Sequence, residues 1–411
     1  MTQSSLPLSP AGATPSPAVV LRADSPPVPL QLLRQAPTRI LMIGALPPPL
    51  GGTTVLFQQL ADDLAEHRDV DVDVIDTSAA SQAGGLRKLV ATAGILWQAA
   101  RRMRAADAVT FHASTPGTLL FGPVIWVLSR LLRRPLVLRE FGGSLDSEYA
   151  DMRGIFRRLL RIAFRADRVL LETHQLLASF RKEFPAAHLE WYANSRPIPK
   201  ERGATTASRP HGVGLRFAFI GHVKPTKGIP EILRATELLD DEAWVDIYGP
   251  FHEGLSEADF RASERVRYCG VLPPEQVTAT IREYDAILLP THHFGEGYPG
   301  IILEAYAAGR PVIASRWRAI PEIVEDGVTG LLVEPRDPVG LAEAMQQLID
   351  SPRQLDGLAE GAAKAAERFS SIRWTERFVE LCRELSRERR PARKRRARWQ
   401  PLRLRIERRL A

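Results

Sequence analysis

The residues with the clearest chemical content lie between Thr291 and Gly309, in the stretch THHFGEGYPGIILEAYAAG. Two carboxylates, Glu296 and Glu304, stand there with seven residues between them. A carboxylate is an acceptor with room for two donors, so each can hold a vicinal diol such as a ribose 2′,3′-diol or a sugar ring. Gly295, Gly297 and Gly300 make a glycine-rich turn, and Ile301, Ile302, Leu303 and Ala305 follow at helical spacing. Pro299 suits the first position of that helix, and Gly309 suits the position just past its end. The free N–H groups near Gly300 and Ile301 then form an anion site. Phosphate on a helix N-terminus, with diols on two glutamates, describes a nucleotide-sugar. The competing reading makes Glu296 a solvated loop residue and Glu304 an ordinary surface carboxylate.

The elements around this stretch decide where those groups point. The preceding run DAILLP (Asp285–Pro290) is short and apolar, as a strand buried in a parallel sheet is. Open α/β sheets bind ligands in the crevice at the carboxyl ends of their strands, where this turn would lie. A second strand, glycine turn and amphipathic helix occur in LRFAFIGHVKPTKGIPEILRATELL, with His222 after Gly221 and Lys227 before Gly228. A third occurs in RILMIGALPPPLGG, whose Gly51 and Gly52 precede a helix capped by Thr53 or Thr54 and running through Leu64. The dinucleotide fingerprint GxGxxG is absent from that loop, so no Rossmann cofactor site is expected.

The pair Glu296 and Glu304 resembles the E-x7-E element of family 4 of the retaining glycosyltransferases: EGYPGIILEA here, against the commoner EGFGLxxLEA. FIGHVKPTKG, VDIYGP, GRPVIAS and IPEIVEDGVTGLLV resemble further family motifs in order, over most of residues 38–387. The resemblance implies an α/β GT-B fold, two Rossmann-like domains facing across a cleft. Together with composition, which marks a Pro/Ser/Ala-rich disordered start (1–37), a polar linker (201–213) and a basic tail (388–411), it divides the chain into an acceptor-side domain (38–200), a donor domain (214–368) and a helix crossing back (369–387). It implies a hexosyltransferase-type, retaining reaction with a nucleotide-diphosphate sugar as co-substrate and no cofactor or metal. Lys227 would meet the diphosphate, assisted by His222 where relatives commonly carry arginine. Glu296 would hold the transferred sugar and Glu304 the ribose. Gly221, Gly249, Val271, Leu272, Gly297, Tyr298, Gly300 and Ile301 complete the donor set, and Gly51 and Gly52 the phosphate and acceptor loop. The strand-end histidine motif of many relatives is replaced by Arg139–Gly143, so His112, Arg139 and Gly142 stand as acceptor-side candidates, the competing reading of His112 being a satisfied structural histidine at a strand end. No side-chain general base is assigned.

VDVDVID (Val70–Asp76) holds the Asp-x-Asp that marks metal sites in another glycosyltransferase fold, but its strict alternation places Asp71 and Asp73 on the wet face of a strand. The 411 residues suffice for two or three domains, and the two cysteines, Cys269 and Cys382, exclude a disulfide framework and a cysteine zinc site. Both read as buried small apolar residues in a reducing compartment.

Net charge is +7, yet residues 388–411 hold eleven Lys and Arg against Glu388 and Glu407, which leaves −2 for the remainder. No signal peptide is expected, and the apolar run Leu119–Leu132 is too short to cross a bilayer and reads as a core helix. Arg153–Arg168 reads as a basic amphipathic helix suited to an anionic membrane surface, or as a core helix with a solvated arginine face. With the tail, which suits anionic lipid or, as a rival, nucleic acid, it points to a cytoplasmic enzyme peripheral at the inner face of the plasma membrane. The acceptor would be a glycan or lipid-linked glycan of an envelope or exopolysaccharide. A nucleotide-sugar 2-epimerase of the same fold, and a non-catalytic nucleotide-sugar-binding partner of another transferase, are the alternatives.

Overall fold

A computed structural model describes residues 36–49, 51–82, 84–199, 214–239 and 243–389. The expected disordered start up to residue 35, the linker at 201–213 and the basic tail from 390 lie outside the described residues.

The first half runs β1 (Thr38–Gly44), α1 (Gly52–Glu66), β2 (Val70–Asp76), α2 (Ser78–Gln82), α3 (Gly85–Met103), β3 (Ala108–Ser114) and α4 (Thr115–Leu131). It continues with β4 (Leu136–Phe141), α5 (Leu145–Asp151), α6 (Gly154–Ala163), β5 (Arg168–Leu171), α7 (His174–Glu183) and β6 (Leu189–Trp191). The second half holds β7 (Leu215–Ile220), α8 (Ile229–Leu238), β8 (Ala243–Tyr248), β9 (Val266–Tyr268), α9 (Pro274–Ile281), β10 (Ala286–Leu289) and α10 (Gly300–Ala307). It ends with β11 (Val312–Ser315), β12 (Gly330–Val333), α11 (Pro338–Asp350), α12 (Pro352–Ala366) and α13 (Ser371–Glu388).

Each half is a six-stranded sheet, in the order β2-β1-β3-β4-β5-β6 and β12-β11-β10-β7-β8-β9. Every strand pair is parallel. Parallel strands are covered on both faces, which is why β3, β4 and β10 are buried along nearly their whole length. In the second sheet the chain departs from β7 toward β8 on one side, and β10 lies on the other. Neighbouring connections diverge at such a reversal and open a crevice. The loops that leave β7 and β10 carry Lys227 and Glu296. This is the two-sheet α/β architecture expected.

α13 returns to the first half. Tyr192 donates to the Trp374 carbonyl at 2.9 Å, Ser386 to the Asp107 carbonyl at 3.1 Å, and Phe378 packs 5.7 Å from the His112 ring. Beside it, Arg196 donates its N–H to Phe369 O and accepts from Ser371 N, both at 2.9 Å, so two chain crossings are tied together there.

Several local expectations are corrected. α1 starts at Gly52 with Gly51 as its cap, not at Thr53 or Thr54, because the Thr54 hydroxyl reaches back to accept from Gly51 N at 3.1 Å. Pro299 flanks α10 and Gly300 is its first residue; the fixed proline φ of −63° suits the extended cap as well. Gly309 is past the helix end at φ +70°, as expected. Asp73 is not on a wet face: it is buried against α3, whose Arg102 donates to it at 3.0 Å. Cys382 is buried, but Cys269 follows the edge strand β9 and is only half-buried. α4 buries one side and leaves Leu120, Val124, Val127 and Leu131 exposed, so it is core along one face only. The helix expected over 153–168 is α6, which ends at Ala163 before the chain enters β5. No helix among the described residues is long and apolar enough to cross a membrane.

Candidate active site

β10 ends at Leu289 and the chain turns through Thr291 to Pro299 before α10 begins. In that turn Glu296 is buried, and two donors meet one of its oxygens. Lys227 Nζ lies 2.5 Å from Glu296 Oε2, and the Thr291 hydroxyl donates to the same oxygen at 2.9 Å. Lys227 gets there because Pro225–Lys227 forms a single tight turn that closes on Gly228. Gly228 has φ +86°, and a Cβ there would overlap the Pro290 carbonyl, so glycine is required both for the turn and for the approach of the two loops. The structure therefore brings Lys227 and Glu296 together from positions 69 residues apart.

Further cations and imidazoles gather there. Lys224 lies 3.3 Å from His293 Nδ1 and 3.4 Å from Glu253. His222 stacks on His252 with ring centroids 4.4 Å apart. Burial first, then His252, Lys227 and Lys224, hold the His222 imidazole below its ordinary range, so it is neutral at pH 7 in the free protein. Gly221 and Gly249 directly follow β7 and β8 and are in mutual contact: a Cβ on Gly249, at φ +137°, would overlap Gly221 O. Gly249 thus shapes the crevice floor. Val271 is exposed and Leu272 partly buried in the loop after β9.

At α10 the structure adds a residue that sequence reasoning missed. Arg196, from the segment after β6, lays its guanidinium against Gly300, where a Cβ would overlap it. Its Nε lies 2.7 Å from Glu304 Oε1. A cation is disfavoured at a helix N-terminus by the helix dipole; here Glu304 and the Ser195 carbonyl hold it. Glu304 keeps a partly open side chain, 19% exposed. Ile301 is partly buried beside it. Tyr298 is a correction: its ring is buried near Phe369 and its hydroxyl donates to Glu322 at 2.6 Å, so the side chain serves packing rather than ligand contact.

Across from α10, loops of the first half press on this turn. Gly143 and Gly297 meet backbone to backbone, since a Cβ on Gly143 would overlap Glu296 O and one on Gly297 would overlap the Glu172 carboxylate. Glu172 is buried just past the end of β5. It accepts from Asn194 Nδ2 at 3.1 Å and from the Gly142 N–H, and Asn194 also donates to Tyr298 O at 3.1 Å. Burial pushes its carboxyl up to about 7, against the lowering effects of Asn194 and Arg139. Arg318 donates to Gly143 O at 2.7 Å and to Asp146 at 2.6 Å, and Glu322 accepts from His174 N and Gln175 N, both at 2.7 Å. The halves are thus joined around the site by charge-assisted bonds. A charged residue ending the apolar run ADRVLLET was a readable signal for Glu172; Arg196, Arg318 and Glu322 carried none.

The acceptor-side candidates separate. Gly51 and Gly52 sit at the start of α1 with open space where a Cβ would be. His112 is buried, bonded to Thr110 at 3.0 Å and packed on Phe57, Phe141 and Phe378, and burial holds it well below its ordinary range. It is a neutral core histidine that no acceptor reaches. Arg139 is buried too, between the Phe141 and Tyr192 rings at 4.6 Å each and 3.3 Å from Asn194, so it braces Glu172 and Asn194 instead of lining the cleft. Gly142, at φ +140°, supplies the N–H that meets Glu172.

Residues 214–351 fit the family model described as glycosyl transferases group 1. The chain is 30% identical over 302 residues to the D-inositol 3-phosphate glycosyltransferase of Corynebacterium urealyticum, covering 65% of this chain and 70% of that one. It is 25% identical over 300 residues to the enzyme of the same name from Corynebacterium glutamicum, covering 64% and 70%. Among solved structures, sucrose-phosphate synthase from Thermosynechococcus elongatus superimposes with a TM-score of 0.68 at 18% identity, covering 85% of this chain and 100% of that one. Anabaena HepE in complex with UDP gives 0.66 at 17%, covering 84% and 100%. On its motifs, its two parallel sheets and these matches, the chain belongs to glycosyltransferase family 4, the group 1 glycosyl transferases of GT-B fold.

Proposed function

We propose that the protein transfers a sugar, with retention and without a metal, from a nucleotide-diphosphate sugar to a glycan or lipid-linked acceptor of an envelope or exopolysaccharide. The observation that carries this is the Lys227–Glu296–Thr291 cluster beside the N-terminus of α10, with Glu304 about one turn further in. A diphosphate entering there meets a cation, free helix N–H groups and the Arg196 guanidinium. These groups are fixed before charge develops on the leaving group, which is the arrangement that lowers a barrier most. Lys227 exchanges its contact with Glu296 for the diphosphate, and Glu296 is then free to accept from hydroxyls of the transferred sugar. Glu304 offers its second oxygen to the ribose diol while Arg196 holds the first. Val271 and Leu272 flank the base. UDP and UDP-glucose are bound by the structural neighbour from Anabaena, which favours a uridine donor as the first to try. The acceptor hydroxyl attacks on the face that the diphosphate leaves, and a phosphate oxygen takes its proton, so no side-chain base is required. The enzyme works from the inner face of the membrane.

The test is a thermal-shift screen of UDP-, GDP- and ADP-sugars in EDTA, followed by incubation with envelope glycolipid extracts and NMR of the new anomeric centre. A product whose anomeric configuration matches the donor is expected. Inversion, or strict dependence on added divalent metal, contradicts the proposal. Epimerised sugar from donor alone replaces it with the epimerase.

A further inference from the structure

The described residues contain seventeen large apolar side chains that stand exposed, and ten of them lie on α3, α4 and α6. These helices neighbour one another in the layer that covers one face of the first sheet. On α3 the exposed residues are Leu86, Leu89, Val90 and Trp97, along the helix at spacings of three, one and seven. The inward face of α3 is instead Ile95, Ala99 and Met103. On α4 they are Leu120, Val124, Val127 and Leu131, one stripe along a single face. On α6 they are Ile155 and Phe156 in the first turn, while Leu160 and Ala163 pack inward. Gly122 lets α4 approach α6 closely, since a Cβ there would crowd Ala163 at 2.8 Å. The apolar side chains are therefore carried by a rigid pair of helices and by α3 beside them.

Charge identifies the occupant. The sequences of α3, α4 and α6 contain no Asp or Glu, and together carry Arg87, Lys88, Arg101, Arg102, Arg130, Arg157, Arg158 and Arg161. Arg102 and Arg130 pair with Asp73 and Asp167, whereas Arg87, Lys88, Arg101, Arg158 and Arg161 are exposed. Arg101 lies 5.5 Å over the Trp97 ring, an aromatic and cation pair suited to a headgroup region. A protein partner would have to cover apolar stripes on three helices and bring acids to every cation. An anionic lipid leaflet supplies both chemistries at once. α3 and α4 begin soon after the carboxyl ends of β2 and β3, so Leu86, Leu89 and Leu120 lie toward the crevice end of the sheet.

We infer that the outer faces of α3, α4 and the start of α6 form one docking surface for an anionic bilayer, seating the acceptor side of the cleft against the leaflet. This deepens the membrane location proposed above and extends it from α6 to α3 and α4. It does not depend on which sugar is transferred.

The experiment is co-sedimentation of the full chain with vesicles of phosphatidylcholine alone or mixed with phosphatidylglycerol. The variants are Leu89→Glu with Trp97→Glu, Val124→Glu with Phe156→Glu, Ile372→Glu as an exposed apolar control on α13, and truncation after Arg389. Wild type and Ile372→Glu sediment with the anionic vesicles only, and less in high salt. Each helix pair lowers partitioning by about tenfold or more, as loss of two inserted apolar side chains requires. Melting temperature and donor binding, read on the same samples, stay near wild type. Helix variants that sediment as wild type while truncation alone abolishes binding overturn the surface, as does equal binding to neutral vesicles. A full chain that ignores anionic vesicles and shifts RNA at the same salt overturns it too. If wild type binds anionic vesicles through these helices but binds no nucleotide-sugar, the functional reading fails and the surface stands.

Discussion

Replacing Lys227 by alanine separates the catalytic from the structural part of the site. The ammonium lies 2.5 Å from Glu296, and the two side chains are only 17% and 8% exposed. At an effective dielectric of about 20, unit charges 4 Å apart attract by roughly 4 kcal/mol, so the gross attraction here is at least that. Most of it offsets desolvation of the pair. Truncation leaves Glu296 buried with the Thr291 hydroxyl as its remaining side-chain donor, a loss of about 1–3 kcal/mol in stability. The effect on turnover has another origin, the missing cation at the departing diphosphate, and is on the order of 2.7–4 kcal/mol, or 10²–10³ in kcat. Initial rates at saturating donor, donor titration by calorimetry and thermal melts report the three quantities. The expected pattern is a large fall in kcat, a smaller loss of donor affinity and a lowered melting temperature. Lys227→Ala combined with Glu296→Gln should recover melting temperature, because no buried charge is left unpaired, but not rate. Near-normal turnover in the single variant, or a rate that returns with stability in the double, refutes the role given to Lys227.

Three further outcomes follow from other contacts. Where relatives commonly carry arginine, His222→Arg should raise turnover above pH 7, because the imidazole it replaces is neutral there; rate–pH profiles identical to wild type would remove residue 222 from the phosphate. Glu172 has a folded pKa raised from 4.5 to about 7, so it favours the folded state below pH 4.5 and loses that contribution as pH rises through 7. The swing is on the order of 3 kcal/mol, and Glu172→Gln should flatten stability measured by urea unfolding between pH 5 and 8; an unchanged slope would place its titration elsewhere. Arg318→Ala breaks bonds to Gly143 and Asp146 at 2.7 and 2.6 Å and should loosen the two halves, raising hydrogen exchange at 142–146 and 316–320 while α11 stays protected; no change there would show the halves are held without it.

Much of the donor half was legible because its signals are local. The run DAILLP, the three glycines and the seven-residue gap between the glutamates are contiguous, and the fold sets them at the end of β10 as a parallel strand and helix must. Lys227 was legible through the resemblance, from its place before Gly228 in FIGHVKPTKG, and the structure gives that glycine the positive φ its turn needs. Arg196, Glu322 and Arg318 were not, because each acts on residues over a hundred positions away and nothing in its own neighbourhood marks it. Asp73 defeated the alternation rule because α3 folds back over β2 with Arg102. His112 stayed open between an acceptor-side and a structural role, because a histidine near a strand end reads alike whether it faces the crevice or, as here, three phenylalanines. α4 looked like core because an apolar run too short to cross a bilayer reads as buried without saying what lies against it.

The most direct test of the central claim is calorimetric titration of UDP-, GDP- and ADP-sugars, in EDTA, into wild type and Glu304→Ala. At least one donor should bind wild type, and the variant should weaken it by roughly 1.5–3 kcal/mol, or about ten- to a hundredfold, through loss of the ribose acceptor. No donor binding to wild type, or equal affinity in the variant, would contradict a nucleotide-sugar seated on α10.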